Sequence, residues 1–151
     1  MLSRRDCAIL TDLLDKKWLE MPHDDFKITL TIDELSQHIG IDTTLTLSKL
    51  VHGDYDKIIL RRCTPAGLCI RFHLDVTKQV MQVALNDDSE YTGGRLMFLT
   101  GEGRLVVPKR QAGSYTVHNS FVVHGVSEHK AGLRYGLFFI KETASTITEN
   151  N

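Results

Sequence analysis

The chain has 151 residues, of which 42% are hydrophobic and 25% charged, an ordinary composition for a soluble globular protein. This length suits one domain, which removes roughly 70% of the unfolded chain's surface from water. Lys plus Arg number 18 and Asp plus Glu number 19, so no bulk positive charge attracts nucleic acid or an anionic membrane. A nucleic-acid partner is therefore not indicated.

Three cysteines, Cys7, Cys63 and Cys69, occur without C-x-x-C spacing. An odd number of such residues favours reduced thiols, so we expect a cytoplasmic or nuclear protein that is not secreted. The apolar run at residues 8–10 is too short for a signal peptide, and no stretch approaches the roughly 20 apolar residues of a membrane span. We expect no membrane partner.

The N-terminal third has the signals of helices. Ser3 is a helix cap followed by apolar residues at helical spacing, and Thr31 with Glu34 forms a capping box. The predicted elements are a helix over residues 3–20, a short strand over 26–30, a helix from Thr31 to Gly40 and a helix over 44–51.

From Tyr55 onward, short apolar runs alternate with turns rich in glycine, asparagine and aspartate. Eight strands are predicted, over residues 57–62, 68–75, 79–85, 95–99, 104–107, 114–118, 121–126 and 133–141. No crossover helix separates them, which favours a double-sheet jelly roll over a parallel sheet. We expect a mostly β fold with N-terminal helices in a single domain: a mainly helical support at 1–54, a β core at 55–141 and a polar tail at 142–151.

The tripeptide His-x-Asp occurs three times, at residues 23–25, 52–54 and 73–75. The first copy follows a proline in a loop, and the second leaves a helix through Gly53. Only His73 and Asp75 lie in a predicted strand, where alternation directs both side chains to one face. We therefore expect this pair to bind a metal ion.

A third ligand must come from a distant part of the chain, and two histidines are candidates. His118 ends a strand at a turn, where a corner residue that hydrogen-bonds the backbone is an alternative role. His124 lies inside an apolar strand, where an imidazole needs a polar partner. A core histidine satisfied by backbone groups is the alternative for His124.

Arg134 follows His124 by ten residues and begins another apolar strand. A guanidinium inside a barrel requires an anion, because an unpaired buried charge is very costly. The carboxylate of a ligand would supply one through a bidentate contact. A salt bridge to an internal Asp or Glu is the alternative.

Together, His73, Asp75, His124 and Arg134 resemble the His-x-Asp…His…Arg pattern of the 2-oxoglutarate/Fe(II)-dependent dioxygenase superfamily. The nearest similarity is to its prolyl-4-hydroxylase-like branch, and it covers about residues 58–140. This resemblance implies a double-stranded β-helix (jelly roll), with Fe(II) held by the two histidines and the aspartate. It also implies 2-oxoglutarate as a cosubstrate anchored by the arginine, O2 as co-reactant and ascorbate as a further candidate cofactor.

Two further residues are predicted to wall the cosubstrate pocket. Val126 shares the strand parity of His124, and Leu96 occupies a pocket position in the family that the chain resembles. Simple core packing is the alternative for both.

The sequence departs from prolyl hydroxylases where these usually have tyrosines that hold the cosubstrate: Cys63 or Thr64, and Ala84, stand there instead. The usual Arg-x-Ser reads Arg134-Tyr135-Gly136. We expect a dioxygenase that hydroxylates a protein side chain, as prolyl hydroxylases do, or a small molecule. The alternatives are a cupin-type metalloenzyme without 2-oxoglutarate and a non-catalytic jelly-roll binding module.

Overall fold

The computed structural model describes residues 1–143, and the predicted polar tail lies outside the described residues from position 144 on. Three helices form in the N-terminal part: α1 (Arg4–Glu20), α2 (Ile32–Ile39) and α3 (Ile41–Lys49). The Ser3 hydroxyl accepts a hydrogen bond from the Asp6 backbone N–H at 3.1 Å. Both hydrogen bonds of the predicted capping box at the start of α2 are present.

The third helix begins at Ile41, three residues before its predicted start. Gly40 adopts a φ of +83°, which lets the chain end α2 and turn at once into α3. Asp42 and Thr44 are polar, so apolar periodicity does not mark this first turn of α3.

The described strands, in chain order, are β1 (Asp25–Leu30), β2 (Lys57–Cys63), β3 (Ile70–His73), β4 (Gln79–Ala84), β5 (Thr92–Gly93), β6 (Leu96–Leu99), β7 (Leu105–Val106), β8 (Tyr115–Asn119), β9 (His124–Val126), β10 (His129–Ala131) and β11 (Arg134–Lys141). Each of the eight predicted strands is present, several of them shorter by a few residues. Sequence periodicity missed β5 and β10, which are too short to carry a periodic pattern.

The strands form a five-stranded sheet in the order β1-β2-β11-β4-β8, a four-stranded sheet in the order β3-β9-β6-β7, and the small pair β10-β5. All their pairings are antiparallel. Residues from both larger sheets line one cavity, which therefore lies between them. The fold is mostly β with N-terminal helices and has the jelly-roll architecture of a double-stranded β-helix, as predicted.

The five-stranded sheet has two different faces because side chains alternate along each strand. Leu60, Met81 and Leu137 point to the helices and are completely buried against Leu10 and Leu14 of α1, among others. Burying side chains of this size contributes about 1.5–3 kcal/mol each. This packing fixes the helices to one face of the sheet, and the division into a helical support and a β core stays a prediction.

An ion pair also joins α1 to this sheet. The Arg62 Nε donates to an Asp15 carboxylate oxygen at 2.7 Å, and its guanidinium stacks 4.1 Å from the Trp18 ring. The Tyr135 hydroxyl donates to the same carboxylate at 2.8 Å. Burial, and next the hydrogen bond with Asp15, raise the pKa of Tyr135 to about 12.

Among residues 1–143, no helix is long and apolar enough to cross a membrane.

Leu137→Ala should lower the free energy of unfolding by about 2–5 kcal/mol, because it leaves a cavity between β11 and the helices. Leu105→Ala on the edge strand β7 is the matched control, since Leu105 is 54% exposed; it should change stability by about 0.5 kcal/mol or less. Urea denaturation measures both. Equal losses in the two variants would contradict this account of the core.

Candidate metal centre

The pairing of β3 with β9 brings the predicted ligands together. His73 at the end of β3 lies directly opposite His124 at the start of β9. Asp75 follows β3 by two residues and turns back toward both rings. One ligand atom from each of the three residues lies within 4.8 Å of the other two.

Backbone carbonyls orient the two imidazoles. His73 Nδ1 lies 2.8 Å from the Arg71 carbonyl oxygen, and His124 Nδ1 lies 3.0 Å from that of Val122. A carbonyl oxygen is an acceptor, so each Nδ1 carries the hydrogen and donates it. In the neutral form of each ring, Nε2 then presents a lone pair to the Asp75 carboxylate, which is the arrangement of metal-binding histidines in proteins.

The distances within the group suit a cation. His73 Nε2 lies 3.1 Å from Asp75 Oδ1, and His124 Nε2 lies 3.6 Å from Oδ2. Adjacent ligands at about 2.1 Å from an octahedral ion lie about 3 Å apart, which is close to the His73–Asp75 separation. Lone pairs that face carboxylate oxygens repel them unless a proton or a metal ion lies between. Two imidazoles and one carboxylate are the donor set of the non-haem Fe(II) facial triad.

A third imidazole, that of His118 on β8, belongs to the same cluster. Its Nε2 lies 3.1 Å from Asp75 Oδ2, and its ring centroid lies 4.3 Å from that of His124. Burial is the largest influence on His118 and lowers its pKa. Because a carboxylate oxygen accepts, the His118 Nε2 carries the hydrogen and donates it. His118 is predicted as a ligand or a corner residue, and the sequence carries no signal of its contact with Asp75, because β8 and β3 belong to different sheets.

The cluster opens into a cavity of about 270 Å³ between the two sheets. Leu96 and Val126 both line this cavity, on the side of the four-stranded sheet. Ile59 and Phe138 line it from the five-stranded sheet, so most of the wall is apolar. The structure thus brings both predicted wall residues beside the predicted ligands.

Arg134 begins β11 on its cavity-facing side and is buried, with 7% of its surface exposed. Within residues 1–143, no carboxylate oxygen lies within 4.0 Å of its guanidinium, whereas the neighbouring Arg61 is paired with Asp25. The described part of the chain therefore offers no carboxylate for the internal salt bridge that was the alternative role of Arg134. Burial of a guanidinium without an anion is energetically costly.

Arg134 does not line the 270 Å³ cavity itself. It lines two smaller adjoining cavities of about 40 and 10 Å³. The side chain of Arg61 lines all three spaces and lies between the His–Asp–His cluster and Arg134. Asp25 holds Arg61 in this position through two hydrogen bonds, at 2.5 and 3.1 Å.

The other two His-x-Asp pairs lie elsewhere. Asp25 is the partner of Arg61 and Lys27. His52 lies in the turn after α3 with a positive φ of 55°, and Asp54 forms an ion pair with Lys141. Of the three pairs, only the one at 73–75, which was predicted from its extended backbone, lies in the His–Asp–His cluster.

No family model matches the sequence, and no curated protein matches it either. Solved structures do match the fold. A prolyl-4-hydroxylase from Pseudomonas putida superposes with a TM-score of 0.67 at 17% identity, over 94% of this chain and 89% of that one.

Two other structures are similar to a comparable degree. A prolyl hydroxylase from Trichoplax adhaerens, in complex with a hypoxia inducible factor peptide, has a TM-score of 0.68 at 14% identity and covers 91% of this chain and 78% of its own. The viral collagen prolyl hydroxylase of Paramecium Bursaria Chlorella virus-1, in its 2-oxoglutarate complex, has a TM-score of 0.61 at 16% identity over 94% and 92%. The resemblance recognised in the sequence is therefore confirmed in the fold, which this chain shares with the prolyl hydroxylases.

Proposed function

We propose that this chain is an Fe(II)- and 2-oxoglutarate-dependent dioxygenase in which His73, Asp75 and His124 hold the metal. The observation that carries the proposal is the convergence of two Nε2 lone pairs on one carboxylate, with each Nδ1 already engaged by a backbone carbonyl. This arrangement becomes favourable when a cation occupies its centre. The fold shared with oxygenases of known structure supports the same assignment.

Bound iron and 2-oxoglutarate would supply the oxidising chemistry, in which O2 converts the cosubstrate to succinate and carbon dioxide while a substrate C–H bond is hydroxylated. The chain's own contribution is binding, orientation and exclusion of water. Val122 and Arg71 hold the histidine tautomers through their carbonyls, and His118 holds the Asp75 carboxylate. Leu96 and Val126 form an apolar wall beside the reacting centre.

Arg134 is proposed to bind the far carboxylate of 2-oxoglutarate. A buried guanidinium without a carboxylate partner among residues 1–143 is best explained by an anionic ligand that binds from outside. Because Arg61 borders both the 270 Å³ cavity and the smaller cavities that Arg134 lines, we expect the Arg61 side chain to shift or to contact the cosubstrate when it binds.

The substrate is proposed to be a protein side chain, with proline as the first candidate, or an apolar small molecule. Most of the exposed wall of the cavity is apolar, which suits an uncharged substrate group. Three structures of similar fold are prolyl hydroxylases, one of them bound to a peptide.

Cobalt(II), whose visible spectrum reports its ligands, tests the metal site. The wild-type protein should bind Co(II), while His73→Leu and His124→Leu should abolish binding because each removes one ligand. His118→Leu should weaken binding by about 10- to 100-fold, as expected for a residue that orients a ligand.

His129→Leu is the matched control for the cobalt titration, since His129 is buried but lies outside this cluster. It should bind Co(II) as the wild type does. Failure of the wild type to bind Co(II), or full binding by His124→Leu, would refute the ligand assignment.

Anaerobic titration with Fe(II) and 2-oxoglutarate tests the cosubstrate. The weak visible charge-transfer band of the chelate should appear in the wild type. Arg134→Met should raise the 2-oxoglutarate concentration required by about 100-fold, because it removes charge-assisted hydrogen bonds, with little change in Co(II) affinity.

Arg62→Met is the control for the cosubstrate titration, because this buried arginine lies on the helix-facing side of the same sheet. It should lower stability and leave the 2-oxoglutarate requirement unchanged. Absence of the band in a wild-type protein that binds metal would favour a cupin-type enzyme; absence of metal binding as well would favour a non-catalytic module.

Peptide libraries with and without proline test the substrate class. Proline peptides incubated with wild-type protein, Fe(II), 2-oxoglutarate and O2 should gain the mass of one oxygen atom and release an equal amount of succinate. The His124→Leu variant should do neither. A peptide substrate would be excluded if apolar small molecules, but not peptides, stimulate succinate release.

A further inference from the structure

A second buried guanidinium without a charge partner, that of Arg110, lies beside Arg134. Arg110 belongs to the segment between β7 and β8 and exposes 4% of its surface. Its Nη1 donates to the Gln82 side-chain oxygen. Its Nε and Nη2 are buried and have no hydrogen-bond partner among residues 1–143.

The nearby carboxylates are engaged elsewhere. Asp88 pairs with the Arg95 guanidinium at 2.7 Å and accepts only the backbone N–H of Arg110, at 3.2 Å. Asp25 is shared by Arg61 and Lys27. In the described part of the chain, no carboxylate oxygen lies within 4.0 Å of either the Arg110 or the Arg134 guanidinium.

Arg110 and Arg134 line the same small cavity of about 10 Å³, together with Arg61, Gln82 and Gly136. Burial, and next the positive charge of Arg134, lower the pKa of Arg110 to about 10, so the Arg110 guanidinium remains charged at neutral pH. Two like charges beside one small cavity repel each other, and both side chains are buried. Such an arrangement destabilises the ligand-free protein, and an anion between the two groups would relieve it.

Two further side chains with donor groups line this cavity, but Arg61 is already paired with Asp25 and Gln82 with Arg110. Ala84 on β4 and Gly136 on β11 are direct cross-strand partners, and alternation directs both to the cavity side. Neither has a polar side chain. A carboxylate bound by Arg134 would therefore find its second set of hydrogen bonds in Arg110.

We infer that Arg110 is a second cosubstrate-binding residue, which contacts the far carboxylate of a 2-oxo dicarboxylic acid together with Arg134. One carboxylate oxygen faces each guanidinium, and Gln82 holds Arg110 in place. This inference rests on the proposed function and adds a specificity to it. The site should strongly prefer 2-oxoglutarate over 2-oxobutyrate, which lacks the second carboxylate.

Equilibrium unfolding in urea, with and without ligand, tests the inference without turnover. Co(II) replaces iron, and 2-oxoglutarate and 2-oxobutyrate are titrated separately. Arg110→Met should leave the ligand-free protein as stable as the wild type or more stable, because it removes a buried unpaired charge. The same variant should bind 2-oxoglutarate at least tenfold more weakly and discriminate less against 2-oxobutyrate.

Arg110→Lys serves as the conservative variant, because it keeps the charge and can still donate to Gln82. It should bind 2-oxoglutarate with an affinity between those of the wild type and Arg110→Met. Arg62→Met is the control for removing a buried arginine that has a carboxylate partner. It should lower the stability of the ligand-free protein and leave the affinity for 2-oxoglutarate unchanged.

The outcomes separate this inference from the proposed function. If the wild type binds 2-oxoglutarate and Arg134→Met does not, but Arg110→Met binds as the wild type does, Arg110 has no role in binding and only the inference fails. A loss of ligand-free stability in Arg110→Met with unchanged affinity would assign it a structural role. If the wild type itself does not bind 2-oxoglutarate, both the proposed function and the inference fall.

Discussion

The site depends on the register of two short antiparallel strands. Because His73 on β3 lies opposite His124 on β9, two imidazoles from distant parts of the chain meet with their Nε2 atoms on the same side. A shift of one residue would turn His124 to the other face of the sheet. The register also brings the Val122 carbonyl to His124 Nδ1, so ring position and tautomer are set by the same local backbone.

Two buried arginines between the sheets have no carboxylate partner among the described residues. The buried arginine on the opposite face of the five-stranded sheet has one. On the helix-facing side, Arg62 has the carboxylate of Asp15, the ring of Trp18 and the hydroxyl of Tyr135 nearby. On the cavity side, Arg110 and Arg134 have no carboxylate within the described residues. The first arrangement stabilises the ligand-free fold, and the second costs stability that a bound anion would recover.

The same contrast explains why a rigid jelly roll suits this chemistry. The helices and the fully buried leucines on one face hold β2, β11 and β4 in place. Unfavourable groups that face the cavity, such as Arg134 on β11, can then remain buried, because the packed sheet holds them in place. Local departures from the usual rules of burial and pairing are expected at functional sites, where the rest of the fold compensates for them.

The amino-acid sequence by itself determined the local elements, because their signals are local: the caps at Ser3 and Thr31, the strand periodicity after Tyr55, and the extended context that marks His73 and Asp75. It could not reveal β5 and β10, which tertiary pairing alone creates from two and three residues. Nor could it reveal the contact between His118 and Asp75 or the meeting of two unpaired arginines, since burial and charge pairing depend on what other strands bring alongside. Tertiary structure decided these, because an ionisable group acquires its partner, or lacks one, only when the sheets close around it.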